Sequence, residues 1–336
     1  MPRPVGGDGY GWSVIETEAP VAEKQRVRWS RVALFYGLAF GWVCLLAAGL
    51  WATGNRNLAA GQGISLVTVV LAVAYMPAPL VAALVVERLD RRTPLIRDTF
   101  RRIGRSLPTL VAVAVPVVAA LMAGMVGLSW LLGNRLDLNG VGRVLFTQED
   151  LLANTLLLLP GMDADQVAGV SAGIPSLWPL LGITYVSALV AGLTINAVFA
   201  FGEEYGWRGW LADELRPLGP FWANVITGVL WGVWHAPLIL MGLNYGGYAR
   251  LGTAFMVAWC VPMSFLLWRA REVTGSVLAP AVLHGSVNAF AGVFLVVIVD
   301  PIPVIAAPAG LVGTVVVAVV AALFWLSTRK WAGRTR

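Results

Sequence analysis

The sequence predicts an all-α polytopic membrane protein with about eight transmembrane helices, and three observations carry that prediction. Apolar residues make up 58% of the 336-residue chain and charged residues 12%, where soluble domains carry about 25% charged residues. Mean hydropathy is +0.76, and apolar runs near the length of a bilayer crossing, about 20 residues, recur along the chain. Lys and Arg also divide unevenly among the segments between those runs, as they do in membrane proteins of fixed orientation.

Residues 1–31 are polar and charged, with Gly6, Gly7, Gly9 and Gly11 early and Lys24, Arg26, Arg28 and Arg31 late. A cleavable signal places a short apolar stretch directly after a basic start, so this segment reads as a cytoplasmic basic tail. Three apolar runs at 32–53, 64–86 and 107–133 predict the N-terminal transmembrane helices, within 32–133. A long external loop follows at 134–178. It carries Asp137, Glu149, Asp150, Asp163 and Asp165, and its apolar patch Leu151–Leu159 is too short to span. Four runs at 179–202, 220–241, 252–268 and 275–298 form the next bundle, within 179–298, and a last run at 305–327 lies within 299–336, before a second basic tail. The chain is rich in tryptophan, and Trp29, Trp51, Trp130, Trp178, Trp268, Trp325 and Trp331 fall near run ends, where amphipathic rings settle at lipid headgroups.

With a cytoplasmic N-terminus, Arg56, Arg135, Arg143 and Arg250 lie outside, and all the rest of the 24 Lys and Arg residues lie inside. That asymmetry supports an even number of spans and places both termini in the cytoplasm. It also accounts for the net charge of +6 without nucleic acid. The segment 87–106 alternates basic and apolar residues and reads as an amphipathic helix on anionic lipid. Cys44 and Cys260 sit inside apolar runs as small buried hydrophobes, with no disulfide framework implied. The chain is Ala- and Arg-rich and its lysines are Lys24 and Lys330, which suggests a bacterial protein of the cytoplasmic membrane.

Ionisable groups inside spans are costly and mark function by default. Here they cluster. Glu203, Glu204 and Arg208 close the fourth span, His235 lies in the fifth, and His284 and Asn288 lie in the seventh, so every histidine of the chain is in this set. Glu204 and Arg208 are four apart on a helix and pair across one turn, which leaves Glu203 to face a cavity. His284 and Asn288 share a face in the same way. At about 1.5 Å per residue, Glu203 and His284 lie roughly 12 and 14 Å from the cytoplasmic ends and His235 roughly 22 Å. A snorkelling ion pair, a carbonyl-bonded histidine and helix–helix glue each explain one of these residues alone. They do not explain why all of them gather on three helices.

Those side chains suit peptide hydrolysis. A desolvated carboxylate takes a proton from water near neutral pH, and an imidazole N–H and an amide stabilise the oxyanion that forms. The same ligand types suit a divalent metal such as zinc, held by Glu203, His235 and His284. Both routes stay open on these residues.

The stretch EEYGWR resembles the EExxxR motif of the CAAX protease and bacteriocin-processing (CPBP, or Abi) family of intramembrane endopeptidases, WGVWH its FxxxH motif and HGSVN its HxxxN motif. The resemblance covers roughly residues 180–295, and the motifs come in the family's order. It implies Glu203 as general base assisted by His235, His284 and Asn288 as the oxyanion site, Glu204 and Arg208 in support, and glutamate-dependent hydrolysis with no required metal. Trp231 stands where the family usually has Phe. The implied substrate is a membrane-associated protein or peptide. Two other readings compete: a non-catalytic scaffold or bacteriocin self-immunity protein, and an ion-coupled transporter. The transporter reading lacks the repeated halves common in such proteins.

Overall fold

A computed structural model describes residues 26–58, 71–91, 103–158, 162–173 and 175–331. The described chain is almost wholly helical. Lipid offers no hydrogen-bond partners, so each crossing segment must satisfy its own backbone. The helices are α1 (Trp29–Ala52), α2 (Ala78–Leu89), α3 (Ile103–Ser129), α4 (Gln148–Leu158), α5 (Ala164–Gly173), α6 (Leu177–Leu193), α7 (Ile195–Glu204), α8 (Gly219–Trp234), α9 (Ala249–Thr274), α10 (Leu278–Val297) and α11 (Leu311–Ser327). Among the described residues, the stretches Trp29–Ala52, Leu110–Arg135 and Gly246–Thr274 are long and apolar enough to cross a membrane, and Leu278–Phe294 and Leu311–Ser327 are shorter apolar helices.

Several expected spans are not single helices. The run 179–202 breaks at Thr194, whose backbone (φ −119°, ψ −95°) leaves the helical region between α6 and α7. Its continuation, Tyr205–Leu211, is a π-helix with every residue buried. The run 220–241 ends α8 at Trp234 and resumes as the short turn Ala236–Ile239, with Pro237 near its start. In the run 64–86, a π turn at Leu71–Tyr75 precedes α2, and residues 59–70 lie outside the described residues. Helix α9 stops where Gly275 takes the left-handed conformation (φ 68°) and its N–H bonds the Arg271 carbonyl.

The connecting segments gather at two ends, as the charge pattern requires. Arg28 pairs with Asp90 at 2.6 Å and Glu214 at 2.5 Å, and Arg31 with Asp90 at 2.8 Å. Arg271 pairs with Asp213 at 2.8 Å, and Arg269 donates to the Thr328 hydroxyl at 2.7 Å. Each of the five segments expected in the cytoplasm thus contributes a residue to this one end. At the other end, Arg143–Val144 pairs antiparallel with Ile298–Val299. Asn134 bonds both backbone groups of Val144 at 2.9 Å, and the Leu58 N–H bonds the Met241 carbonyl at 2.7 Å. The patch at Leu151 belongs to α4, which docks on the end of α10 through Asn154 and the Val296 carbonyl, 2.9 Å apart.

Large apolar side chains are exposed along α6 and α7, among them Trp178, Ile183, Val186, Val190, Ile195 and Val198. In water such a surface aggregates; in hydrocarbon it meets a solvent as apolar as itself. Polar groups turn inward instead.

Candidate active site

The motif helix is built for close approach. Gly202 and Gly206 flank the two glutamates, and the segment that leads into α2 lies directly on them. A Cβ at Gly202 would fall 2.9 Å from both the Met76 carbonyl oxygen and the Pro77 Cα, and one at Gly206 would fall 2.5 Å from the Pro79 Cβ. Farther along, the Tyr205 hydroxyl donates to Glu87 at 2.8 Å, with both residues buried. From the other side α1 sets Phe35 against Trp207 (ring centroids 5.3 Å) and stacks it on Trp210 (4.9 Å). The first two helical segments therefore hold the motif helix in place. Glu87 opens the segment 87–106 expected on anionic lipid, yet it is only 4% exposed; residues 92–102 of that segment lie outside the described residues.

The two adjacent glutamates, both buried, meet different partners. Glu204 Oε1 accepts from Arg208 at 2.9 Å and lies 2.8 Å from His284 Nδ1. The i,i+4 pair anticipated from helical spacing therefore forms, with both members under 2% exposed. Glu203 Oε2 instead accepts from the Trp231 indole N–H at 2.8 Å. Isolated buried charges are expensive. The Glu204 charge is matched by Arg208, and Glu203 is held by a neutral donor.

Trp231 is the centre of the arrangement. The Arg208 guanidinium lies 4.2 Å from its ring centroid, the His284 ring 5.2 Å away edge-on, and the His235 ring 5.7 Å away. His235, half-buried, bonds the Trp231 carbonyl through Nδ1 at 2.8 Å. A carbonyl only accepts, so Nδ1 carries the proton and Nε2 presents a lone pair when the ring is neutral. Asn288 lies one helical turn beyond His284 and is exposed, and among the described residues no hydrogen bond joins it to the cluster. The structure thus brings together Glu203, Glu204, Arg208, His235 and His284, and leaves Asn288 at the margin. Among the described residues, no three His, Cys, Asp or Glu side chains converge as a metal site.

A family model described as type II CAAX prenyl endopeptidase Rce1-like matches residues 184–290. That stretch contains every motif residue named above. The stretch is similar to a CPBP family core. A curated relative, CAAX prenyl protease 2 of Methanococcus maripaludis, is 26% identical over 114 residues, a match covering 32% of this chain and 42% of that protein. The matched stretch takes in α7, α8, α9 and most of α10 but neither α1 nor α2, so the buttress at Phe35, Met76 and Glu87 lies outside it.

Sequence reasoning missed two partners of this core. It noted Trp231 as a departure from the motif but not its N–H as a donor to Glu203. It also passed over Tyr75, which stacks on Trp234 at 4.0 Å and meets the His235 ring at 6.0 Å. A tyrosine within an apolar run was the one available signal.

Proposed function

We propose that the chain is an intramembrane endopeptidase that hydrolyses a peptide bond in a membrane-associated protein or peptide, with Glu203 as the general base. The observation that carries this reading is the unequal engagement of the two neighbouring carboxylates. Glu204 is tied to a guanidinium and an imidazole, a structural and orienting role. Glu203 is equally buried but has no cation bonded to it among the described residues, so it is the carboxylate able to take a proton. Water held between Glu203 and the Nε2 lone pair of His235 gives up its proton to Glu203 and adds to the scissile carbonyl. His284 donates a hydrogen bond from Nδ1 to Glu204 and, in its imidazolium form, one from Nε2 to the oxyanion, and the Asn288 amide supplies a second donor. Collapse of the intermediate breaks the C–N bond, and the proton on Glu203 passes to the leaving amine. The similarity to CAAX prenyl protease 2 of Methanococcus maripaludis supports the peptidase reading, and a prenylated substrate is not required by it.

We infer that the end of the molecule at Arg28, Asp90 and Glu214 faces the cytoplasm. A Lys330→Cys protein should react with an impermeant thiol reagent only after the membrane is opened.

The test compares wild type with Glu203→Ala at equal membrane levels and maps new protein N-termini across the membrane proteome. Termini present with wild type and lost in the variant support proteolysis by Glu203. Identical profiles favour the non-catalytic scaffold.

A further inference from the structure

Buried polar side chains in a folded protein nearly always have partners, because an unpaired one costs stability with no compensating bond. Tyr75 departs from this. It is 6% exposed, and its hydroxyl has no hydrogen-bond partner among the described residues. The ring is held firmly, stacked on Trp234 at 4.0 Å with an interplanar angle of 11° and edge-on to His235 at 6.0 Å. Phenylalanine would fill the same space without the polar cost, so the hydroxyl is the part left unexplained by packing.

Its place is fixed by the chain itself. Met76 and Pro77, the next two residues, lie against Gly202, where even a methyl group would fall 2.9 Å from their backbone. Glu203 follows Gly202. Tyr75 and Glu203 are thus neighbours across one backbone contact. Among the described residues other buried polar groups also lack partners, including the indole nitrogens of Trp207, Trp210, Trp259 and Trp268. None of those rings contacts His235, whereas Tyr75 touches His235 and adjoins Glu203.

We propose that Tyr75 is a catalytic residue that donates a hydrogen bond from its hydroxyl to the oxygen that becomes the oxyanion. The proposal rests on the hydrolase reading above. As the water oxygen bonds the carbonyl carbon and its proton passes to Glu203, the carbonyl π electrons move to the oxygen, and the phenol O–H steadies that charge. When the intermediate collapses, the electrons return, the C–N bond breaks and the Glu203 proton goes to the amine. Tyr75 keeps its own proton throughout.

The test uses full-length protein in proteoliposomes with a substrate peptide found by the N-terminal mapping. Tyr75→Phe, which keeps the ring, should lower kcat by about 100- to 1000-fold and leave KM within about twofold. Affinity for a phosphinate peptide, which mimics the tetrahedral intermediate, should fall in parallel with kcat. Affinity for the intact peptide, measured in a Glu203→Ala background, should not change. A kcat within about threefold of wild type overturns the proposal, and so does an equal loss of affinity for peptide and phosphinate. If Tyr75→Phe lowers the thermal midpoint in detergent, a fluorinated tyrosine at position 75 decides the matter. A rate that follows hydroxyl acidity supports the donor, and an unchanged rate overturns it. Cleavage by wild type that continues at nearly the same rate in Tyr75→Phe removes this proposal alone, whereas no cleavage by wild type of any mapped peptide removes the hydrolase reading and this proposal with it.

Discussion

Replacing Trp231 with the Phe of the family motif tests whether the indole N–H acts on the base. The bond from Nε1 to Glu203 Oε2 is 2.8 Å long, and its two residues are 0% and 2% exposed. A hydrogen bond to a charged group contributes about 1.5–3 kcal/mol, and each 1.36 kcal/mol is tenfold in rate. If the bond holds the carboxylate in its reactive orientation, Trp231→Phe should lower kcat/KM by about 10- to 150-fold. The same change also removes packing volume and weakens the stacking of Arg208, which lies 4.2 Å from the ring centroid. A second background separates these effects. In Glu203→Ala there is no carboxylate to hold, so adding Trp231→Phe should cost almost nothing further in residual activity. The assay is initial-rate cleavage of a fluorogenic peptide in proteoliposomes, with thermal midpoints measured in detergent on the same samples. Wild-type kcat/KM in Trp231→Phe, or effects that simply add in the double variant, would refute the reasoning.

Three further outcomes are expected. Arg208→Met strands the buried Glu204 charge and should cost about 3–5 kcal/mol in detergent unfolding, while the double change with Glu204→Leu should recover most of that loss. Gly202→Ala puts a methyl group 2.9 Å from the Met76–Pro77 backbone and should lower both the thermal midpoint and activity, whereas Gly127→Ala, which meets nothing within 4 Å, should change neither. Asp213 lies outside the spans; burial pushes its carboxyl up, but Arg271 and Arg216 outweigh this and hold it below its ordinary range. A carboxyl depressed in the folded state adds stability above its ordinary pKa of about 4, and that stability is lost as pH falls through the folded value. The side chain is 41% exposed, so the effect stays below about 1 kcal/mol. Asp213→Asn should therefore melt slightly below wild type at neutral pH, with the gap closing in acid and at high salt.

The amino-acid sequence determined the polytopic helical class, because only long apolar runs satisfy a backbone in hydrocarbon. It grouped the segments of each end by charge, and the ion pairs of Arg28, Arg31 and Arg271 join the segments so grouped. It also pointed to the ionisable residues of the candidate site and to the Glu204–Arg208 pair, since i,i+4 spacing is a local property. Only the tertiary structure decided what each group meets. The break at Thr194 is a backbone event inside an uninterrupted apolar run, which hydropathy does not register. The bond from Trp231 to Glu203 joins residues 28 apart, and Tyr75 reaches the site through a contact between the Met76–Pro77 backbone and Gly202. Periodicity reports which face of a helix is apolar. It does not report which neighbour that face meets, because that follows from the packing of many side chains at once.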